Sequence, residues 1–269
     1  MNIFNILIDL IFSKQKGINI NINSKNIRVF IPKIYYIGDG KSGSSSIKKG
    51  FLNVNVAHWH SVNYFEKIFG TKLLTNNNYD LYDLILYIGN KYNFKPIIIE
   101  SVRNPINLEI SETYQHIKYD RGHGPKCKIC QIKKMKDIDA ISKIVKERVL
   151  IKAFQKKPYS IEMYKKHFNI DLLSKFNNKL NYYFNDTNNC YLLFLKFENI
   201  ADWTKIINDL LPYNFVLLHE NKTTNTHYNK VKQKIKFTEK ELQLLNSKIV
   251  RCFYTKGEID KIKQQFIKN

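Results

Sequence analysis

Three short segments of the sequence carry side chains suited to binding and transferring an anionic group. The first is a glycine- and serine-rich run over residues 38–46 that contains Lys41, and the second is a histidine pair, His58 and His60. The third is Arg103, followed eight residues later by Ser111. Ammonium, guanidinium and hydroxyl groups bind phosphate or sulfate, and imidazole accepts a proton near neutral pH. These residue types predict an anion site with a base beside it.

The glycine- and serine-rich run, here called the phosphate loop, follows an apolar segment typical of a buried strand and precedes a predicted helix. Small residues let backbone amides converge on an anion, the start of a helix adds its positive dipole end, and Lys41 adds a mobile cation. An ordinary flexible turn between a strand and a helix has a similar composition, and that alternative stays open. The other predicted ligand-binding residues of the loop are Gly40, Ser42, Gly43, Ser44, Ser45 and Ser46.

The phosphate loop does not have the spacing of a conventional ATP- or GTP-binding loop. That motif requires glycine five residues before the glycine of Gly-Lys-Ser/Thr. Gly40, Lys41 and Ser42 are present here, but Tyr35 stands at the required position, inside the apolar strand. The sequence therefore disfavours a conventional kinase or nucleoside triphosphatase.

Arg103 follows a short, nearly continuous apolar run over 95–102, which is typical of a buried parallel strand. An arginine at the carboxyl end of such a strand lies where open α/β sheets bind ligands, and its planar guanidinium suits a phosphate. Pro105 stiffens the turn, and the helix predicted over 107–117 can return the Ser111 hydroxyl towards the same anion. Alone, Arg-Asn-Pro is also compatible with a surface or capping arginine.

His58 and His60 are two residues apart on a predicted strand over 53–60, so their side chains share one face. Transfer of a group to an alcohol requires a base, and imidazole is the usual one. A pair of core histidines and a metal-binding pair are the competing interpretations.

The phosphate loop and the Arg103 segment together resemble the two nucleotide-binding signatures of sulfotransferases that use 3′-phosphoadenylyl sulfate (PAPS). The segment around His58 and His60, with the phenylalanine and glycine that follow, resembles the His-x-His region of glycan 2-O-sulfotransferases and of capsular-polysaccharide synthesis proteins of the same superfamily. The resemblance implies a P-loop-like sulfotransferase fold and a carbohydrate acceptor. It also implies that Lys41 and Ser42 to Ser46 hold the 5′-phosphosulfate and that Arg103 and Ser111 hold the 3′-phosphate, without a metal.

The same resemblance implies a catalytic arrangement. We expect His60 or His58 to take the proton of the acceptor hydroxyl and the other histidine to orient the substrate. Lys41 would stabilise the charge that develops on the leaving oxygen. A late segment around Glu198 also resembles the family, and Glu198 is interpreted as structural, while Lys222 and Tyr228 occupy the region of a nucleotide-closing loop.

Composition leaves two other classes of function open. The formal net charge is +21, from 44 Lys and Arg against 23 Asp and Glu, and such a charge attracts nucleic acid, acidic glycans and nucleotides alike. Because the lysines are spread along the chain, dedicated nucleic-acid binding is disfavoured, but a non-enzymatic module that binds polyanions is one alternative. An atypical phosphotransferase or nucleotide hydrolase that uses Lys41 is the other.

The cysteine content and the hydropathy of the chain limit the classes of protein and of cellular location to be considered. Four cysteines are too few for a disulfide scaffold, and Cys127 and Cys130, with His123 upstream, lack the second pair typical of a zinc site. No run approaches the ~20 apolar residues of a membrane span, so the sequence favours a soluble, cytoplasmic protein. Peripheral membrane contact through the apolar first twelve residues is the alternative.

Alternating strand and helix patterns predict one α/β domain over 1–269, with three layers and a central parallel sheet. Residues 1–27 form an extension and residues 120–136 a surface loop in this prediction. One strand is predicted over 28–37, with Pro32 either interrupting it or marking its edge, and a buried strand is predicted over 190–197. Residues 137–183 are predicted mostly helical, and a last strand is predicted over 215–219.

Overall fold

The fold is built on a five-stranded, mostly parallel β-sheet with helices on both faces, which confirms the predicted α/β class. The computed structural model describes residues 18–22, 25–29, 32–38, 43–52, 54–59, 80–119, 138–153, 159–218 and 226–267. The strand order in the sheet is β4-β3-β5-β7-β6. Its strands are β3 Ile34–Ile37, β4 Val56–Trp59, β5 Ile97–Val102, β6 Tyr182–Asp186 and β7 Tyr191–Lys196. A separate antiparallel pair consists of β1 Ile18–Ile22 and β2 Lys25–Val29.

The helices alternate with the strands in the first half of the chain and gather at its carboxyl end. A π-helical turn (Val149–Ala153) and two 3₁₀ segments (Phe197–Asp202 and Gln243–Asn246) join some of them. None of the described helices combines the length and the apolar character needed to cross a bilayer. The helices are α1 Ser44–Gly50, α2 Leu81–Lys91, α3 Pro105–Tyr119, α4 Ile138–Arg148, α5 Tyr159–Phe168, α6 Leu172–Lys175, α7 Trp203–Leu210, α8 Thr226–Lys234, α9 Glu239–Leu242, α10 Lys248–Phe253 and α11 Lys256–Phe266.

Two apolar clusters, one on each face of the sheet, form the core. Successive strand residues point to opposite faces, so Tyr36 and Ile99 pack on one side while Tyr35 and Ile98 pack on the other. Helices α1 and α7 cover the Tyr36 face, and α2, α3, α4, α5, α8 and the carboxyl-terminal helices cover the Tyr35 face. Because the central strands are buried on both faces, they are continuous apolar runs rather than alternating ones.

The strand order reverses between β3 and β5, and the region at their carboxyl ends is here called the crevice. The chain passes from β3 through α1 to β4 on one side and later through α2 to β5 on the other side of β3. Helices α1 and α2 lie on opposite faces, with Ile47 in one cluster and Leu81 in the other. In open α/β sheets, ligands bind where the strand order reverses in this way.

Two details of the sequence prediction are wrong. The sheet is not wholly parallel, since β6, which begins at the end of the region predicted to be mostly helical, pairs antiparallel with β7. Its residues are only half-buried and mixed in polarity, so they lack a strand pattern. The segment over 28–37 contains parts of two strands that flank Pro32, as expected if this proline, which cannot donate to a ladder, interrupts the strand. In place of the predicted last strand, Phe215 forms an isolated bridge with Phe51, and 216–218 lie outside any strand.

Candidate functional site

Part of the predicted site falls in the described region. Gly43, Ser44, Ser45, Ser46, His58, Arg103 and Ser111 can be placed, whereas Gly40, Lys41, Ser42 and His60 lie outside the described residues. Residues 1–17, the predicted loop over 120–136 with Cys127 and Cys130, and Lys222 also lie outside them. All the placed residues follow, or lie near, the carboxyl end of a parallel strand.

Gly43 ends the phosphate loop in tight contact with two aromatic side chains. It precedes α1 with φ of 104°, a left-handed conformation that favours glycine. A Cβ added to Gly43 would lie 2.4 Å from Cη2 of the fully buried Trp203 and 3.5 Å from Cδ2 of Phe197. The indole Nε1 of Trp203 donates to the carbonyl oxygen of Lys196 at 3.1 Å, which fixes the ring. The end of the loop is therefore seated against residues that follow β7.

The serines at the start of α1 differ in exposure. Ser44 is buried, Ser46 is half-buried and Ser45 is exposed. Because α1 has only seven residues, its dipole makes a modest contribution to binding. Anion binding by this segment would depend on the backbone amides, the hydroxyls and Lys41.

Arg103 stacks on the same phenylalanine that Gly43 approaches. Its guanidinium Cζ lies 4.4 Å from the centroid of the Phe197 ring, in cation–π geometry. Burial lowers the pKa of Arg103, and the nearby Tyr228, Glu198 and Tyr254 act in the opposite direction. An arginine remains charged under these conditions, so the crevice holds a partly desolvated cation whose side-chain plane is fixed by packing.

The backbone beside Arg103 is fixed by Glu198 and by a helix cap. The Asn104 amide donates to Glu198 Oε1 at 2.8 Å, and the Tyr254 hydroxyl donates to Glu198 Oε2 at 2.9 Å. The buried Asn104 accepts from the Ile106 amide at 3.0 Å and so caps α3, with Pro105 at the first helical position. Glu198 thus acts through hydrogen bonds that position Arg103, in line with its interpretation as a structural residue.

Ser111 lies in the second turn of α3, the helix that follows Arg103, and it contacts helix α8. The side chains of Ser111 and Tyr228 are hydrogen bonded, and the Tyr228 ring meets Tyr114 edge-on at 5.1 Å between centroids. Burial raises the pKa of Tyr228, while the Arg103 charge and the Ser111 bond lower it. Arg103 and Ser111 therefore both interact with one tyrosine, Tyr228.

His58 is joined to the crevice through Tyr36 and Ser101. His58 is the parallel neighbour of Tyr36, and their rings meet edge-on at 5.4 Å. The Tyr36 hydroxyl and Ser101 Oγ lie 2.6 Å apart, and Arg103 follows Ser101 by two residues on the same strand path. Nε2 of His58 is buried. His58 therefore lies on the face of the sheet that carries the Gly43 and Arg103 contacts.

The arrangement brings together the end of the phosphate loop, the Arg103 segment and the first histidine. Sequence reasoning missed the two aromatic residues that connect them, Phe197 and Trp203, and also Lys232 on α8, whose pKa is lowered by burial and by the charge of Arg103. The position of Phe197 directly after a buried strand was the available signal. Chemically, the crevice can bind an extended dianion or polyanion whose two ends lie at β3 and β5.

A second polar cluster lies away from the crevice, at the start of α2. Ligand atoms of Asp80, Asp83 and His167 lie within 4.8 Å of one another, a spacing that could hold a metal ion. Lys166 Nζ and His167 Nε2 already lie 2.7 Å and 2.8 Å from the same Asp80 oxygen, and Asp80 also accepts from the Tyr82 and Asp83 amides. A cation and ring nitrogen bonded to that carboxylate favour a helix-cap network over a metal site.

Comparisons with known proteins add no family to these observations. No protein-family model, curated protein or solved structure matches the chain. Functional inference therefore depends on the residues and their geometry alone.

Proposed function

We propose that this protein is a sulfotransferase that moves a sulfuryl group from PAPS to an acceptor hydroxyl on a carbohydrate. In this proposal the sheet with its two helical layers has the P-loop-like sulfotransferase architecture, and the nucleotide lies across the carboxyl ends of β3 and β5. The phosphate loop binds the 5′-phosphosulfate, and Arg103 and Ser111 bind the 3′-phosphate.

The observation that carries the proposal is the position of Phe197, which lies against Arg103 and close to Gly43. The Arg103 guanidinium covers one part of this ring, and Gly43, two residues after Lys41, approaches it at another. Two segments that are 60 residues apart in the sequence thus converge on one side chain. A nucleotide with a phosphate at each end of its ribose is a ligand of the right chemistry to contact both.

The chemistry follows from the proposed roles. The acceptor oxygen attacks sulfur, the bond from sulfur to the leaving phosphate oxygen breaks, and adenosine 3′,5′-bisphosphate (PAP) departs. Because Nε2 of His58 is buried, we assign His60 as the base that receives the proton of the acceptor hydroxyl. His58 is then the residue that orients the acceptor. Lys41 stabilises the charge that grows on the leaving oxygen.

A binding experiment separates this function from its competitors. Titration calorimetry with PAP and with ATP, each with and without Mg²⁺, should show metal-independent binding that prefers PAP. Arg103→Ala and Lys41→Ala should each weaken PAP binding about 10- to 100-fold, the effect of losing one charge-assisted phosphate contact. Lys33→Ala is a matched control, because Lys33 is exposed at the opposite, amino-terminal end of β3.

Two other outcomes would replace the proposal. Tighter binding of ATP that depends on Mg²⁺ would identify a phosphotransferase or nucleotide hydrolase. Salt-dependent binding of DNA or heparin that PAP does not compete with would identify a polyanion-binding module. Incubation with radiolabelled PAPS and a panel of glycans would then identify the acceptor.

A further inference from the structure

Helix α8 brings a tyrosine and a lysine to the Arg103 end of the crevice. Tyr228 and Lys232 are four residues apart, so they lie on the same face of the helix. Tyr228 is hydrogen bonded to Ser111 and packs on Tyr114 of α3. Lys232 is half-buried, whereas its neighbours Lys230 and Lys234 are exposed. The face of α8 that meets α3 therefore adds a hydroxyl and a cation beside Arg103.

We propose that Tyr228 and Lys232 complete the 3′-phosphate site, and that Lys232 is the residue that makes this site selective for a phosphate monoester dianion. The proposal rests on the function proposed above and assigns two residues beyond Arg103 and Ser111. A terminal phosphate carries close to two negative charges near neutral pH, whereas a sulfate ester or phosphodiester carries one. A site that must distinguish them needs a second cation.

Charge balance supports this role for Lys232. The charge of Arg103 acts on Lys232 and lowers its pKa together with burial, so the two cations repel, and a dianion bound between them would remove that repulsion. Lys232 forms no ion pair with a carboxylate in the described part of the chain. Lys234, by contrast, pairs with Asp139 on α4, which anchors the helix without using Lys232.

Packing fixes the position of both groups. Val231, between them in sequence, is fully buried, and its carbonyl oxygen accepts from Ser142 Oγ of α4 at 3.4 Å. Helix α8 is thus held against α4 on one side and α3 on the other. Tyr228 and Lys232 would contact a bound phosphate without a rearrangement of the helix.

The test compares the affinities of PAP and 5′-AMP, which differ only by the 3′-phosphate. Their ratio of dissociation constants measures the contribution of the 3′-phosphate site. Lys232→Gln should reduce this ratio about 10- to 100-fold, while Lys232→Arg should largely retain it. Tyr228→Phe should reduce it by a smaller factor, since one neutral hydrogen bond is lost. Lys230→Gln is the control with the same charge change on the same helix.

The outcomes distinguish failure of this inference from failure of the proposed function. A wild-type protein that prefers PAP, with equal ratios in Lys232→Gln and Lys230→Gln, would refute the role of Lys232 and leave the function standing. A wild-type protein with no preference for PAP over 5′-AMP would refute both. A fall in the ratio confined to Lys232→Gln and Tyr228→Phe would support the inference.

Discussion

Replacing Gly43 with alanine tests how tightly the end of the phosphate loop packs against Trp203. The methyl group would meet the Trp203 ring at 2.4 and 2.6 Å, and Trp203 is fully buried and hydrogen bonded, so it has little room to move. A left-handed conformation costs a non-glycine residue about 1–2 kcal/mol, and overpacking a core costs about 1–3 kcal/mol. We therefore expect Gly43→Ala to lower the free energy of unfolding by about 2–5 kcal/mol, measured by urea denaturation.

The same substitution should weaken nucleotide binding, because any relief of the clash moves the loop away from Trp203 and shifts its anion-binding groups. Gly257→Ala is the matched control: Gly257 lies in the first turn of α11, and an added Cβ meets no atom within 4 Å. Alanine there should be neutral or stabilise the protein by up to about 1 kcal/mol through helix propensity. Equal stability of the two variants, with equal affinity for PAP, would contradict the tight seating of Gly43.

The remaining predictions concern the ion pair between Lys196 and Glu258 and the two histidines. Lys196 is fully buried and forms an ion pair with Glu258 at 2.6 Å, whereas Glu258 is one-third exposed. Glu258→Gln would leave a buried charge unpaired and should lower the free energy of unfolding by about 3–5 kcal/mol, and Lys196→Met should lower it by less. Equal losses for the two variants in urea denaturation would contradict this asymmetry. Partial burial raises the pKa of Glu258, but hydrogen bonds from Lys196 and Thr255 outweigh it and lower the pKa below its usual value. The stabilisation by this carboxylate is therefore present above about pH 4.5 and is lost as the pH falls through the lower folded-state pKa. The difference in free energy of unfolding between wild type and Glu258→Gln should therefore become smaller at acid pH. Replacing both His58 and His60 with alanine should abolish sulfuryl transfer while PAP affinity stays within about threefold; full turnover by that variant would overturn the assigned base.

The sequence revealed the parallel strands and their helices because burial on both faces leaves an unmistakable pattern. The buried strands predicted over 95–102 and 190–197 contain the observed strands β5 and β7. The antiparallel edge strand β6 was missed because an edge strand with one exposed side needs no continuous apolar run, and Tyr182–Asp186 mixes aromatic with polar residues. Strand order is a long-range property, so the crevice between β3 and β5 became visible only in the folded chain.

The residues of the candidate site also divide into those that the sequence pattern indicates and those that only the folded structure shows. Arg103 and Ser111 were singled out because their types and spacing resemble a nucleotide-binding signature, and their shared role in binding stays a prediction. Phe197 was not, because an aromatic residue after a strand usually belongs to the core, and its contact with Gly43 and Arg103 depends on how three distant segments meet. Lys232 was hidden among many surface lysines until α8 placed it in a half-buried position.

A crystal structure of the protein with PAP would test most directly whether one nucleotide connects the two segments. The 5′-phosphate should lie at residues 41–46, and the 3′-phosphate should lie within hydrogen-bond distance of Arg103 and Ser111, with Phe197 between the two segments. A nucleotide bound elsewhere, or one whose 3′-phosphate points into solvent away from Arg103, would contradict the proposed site.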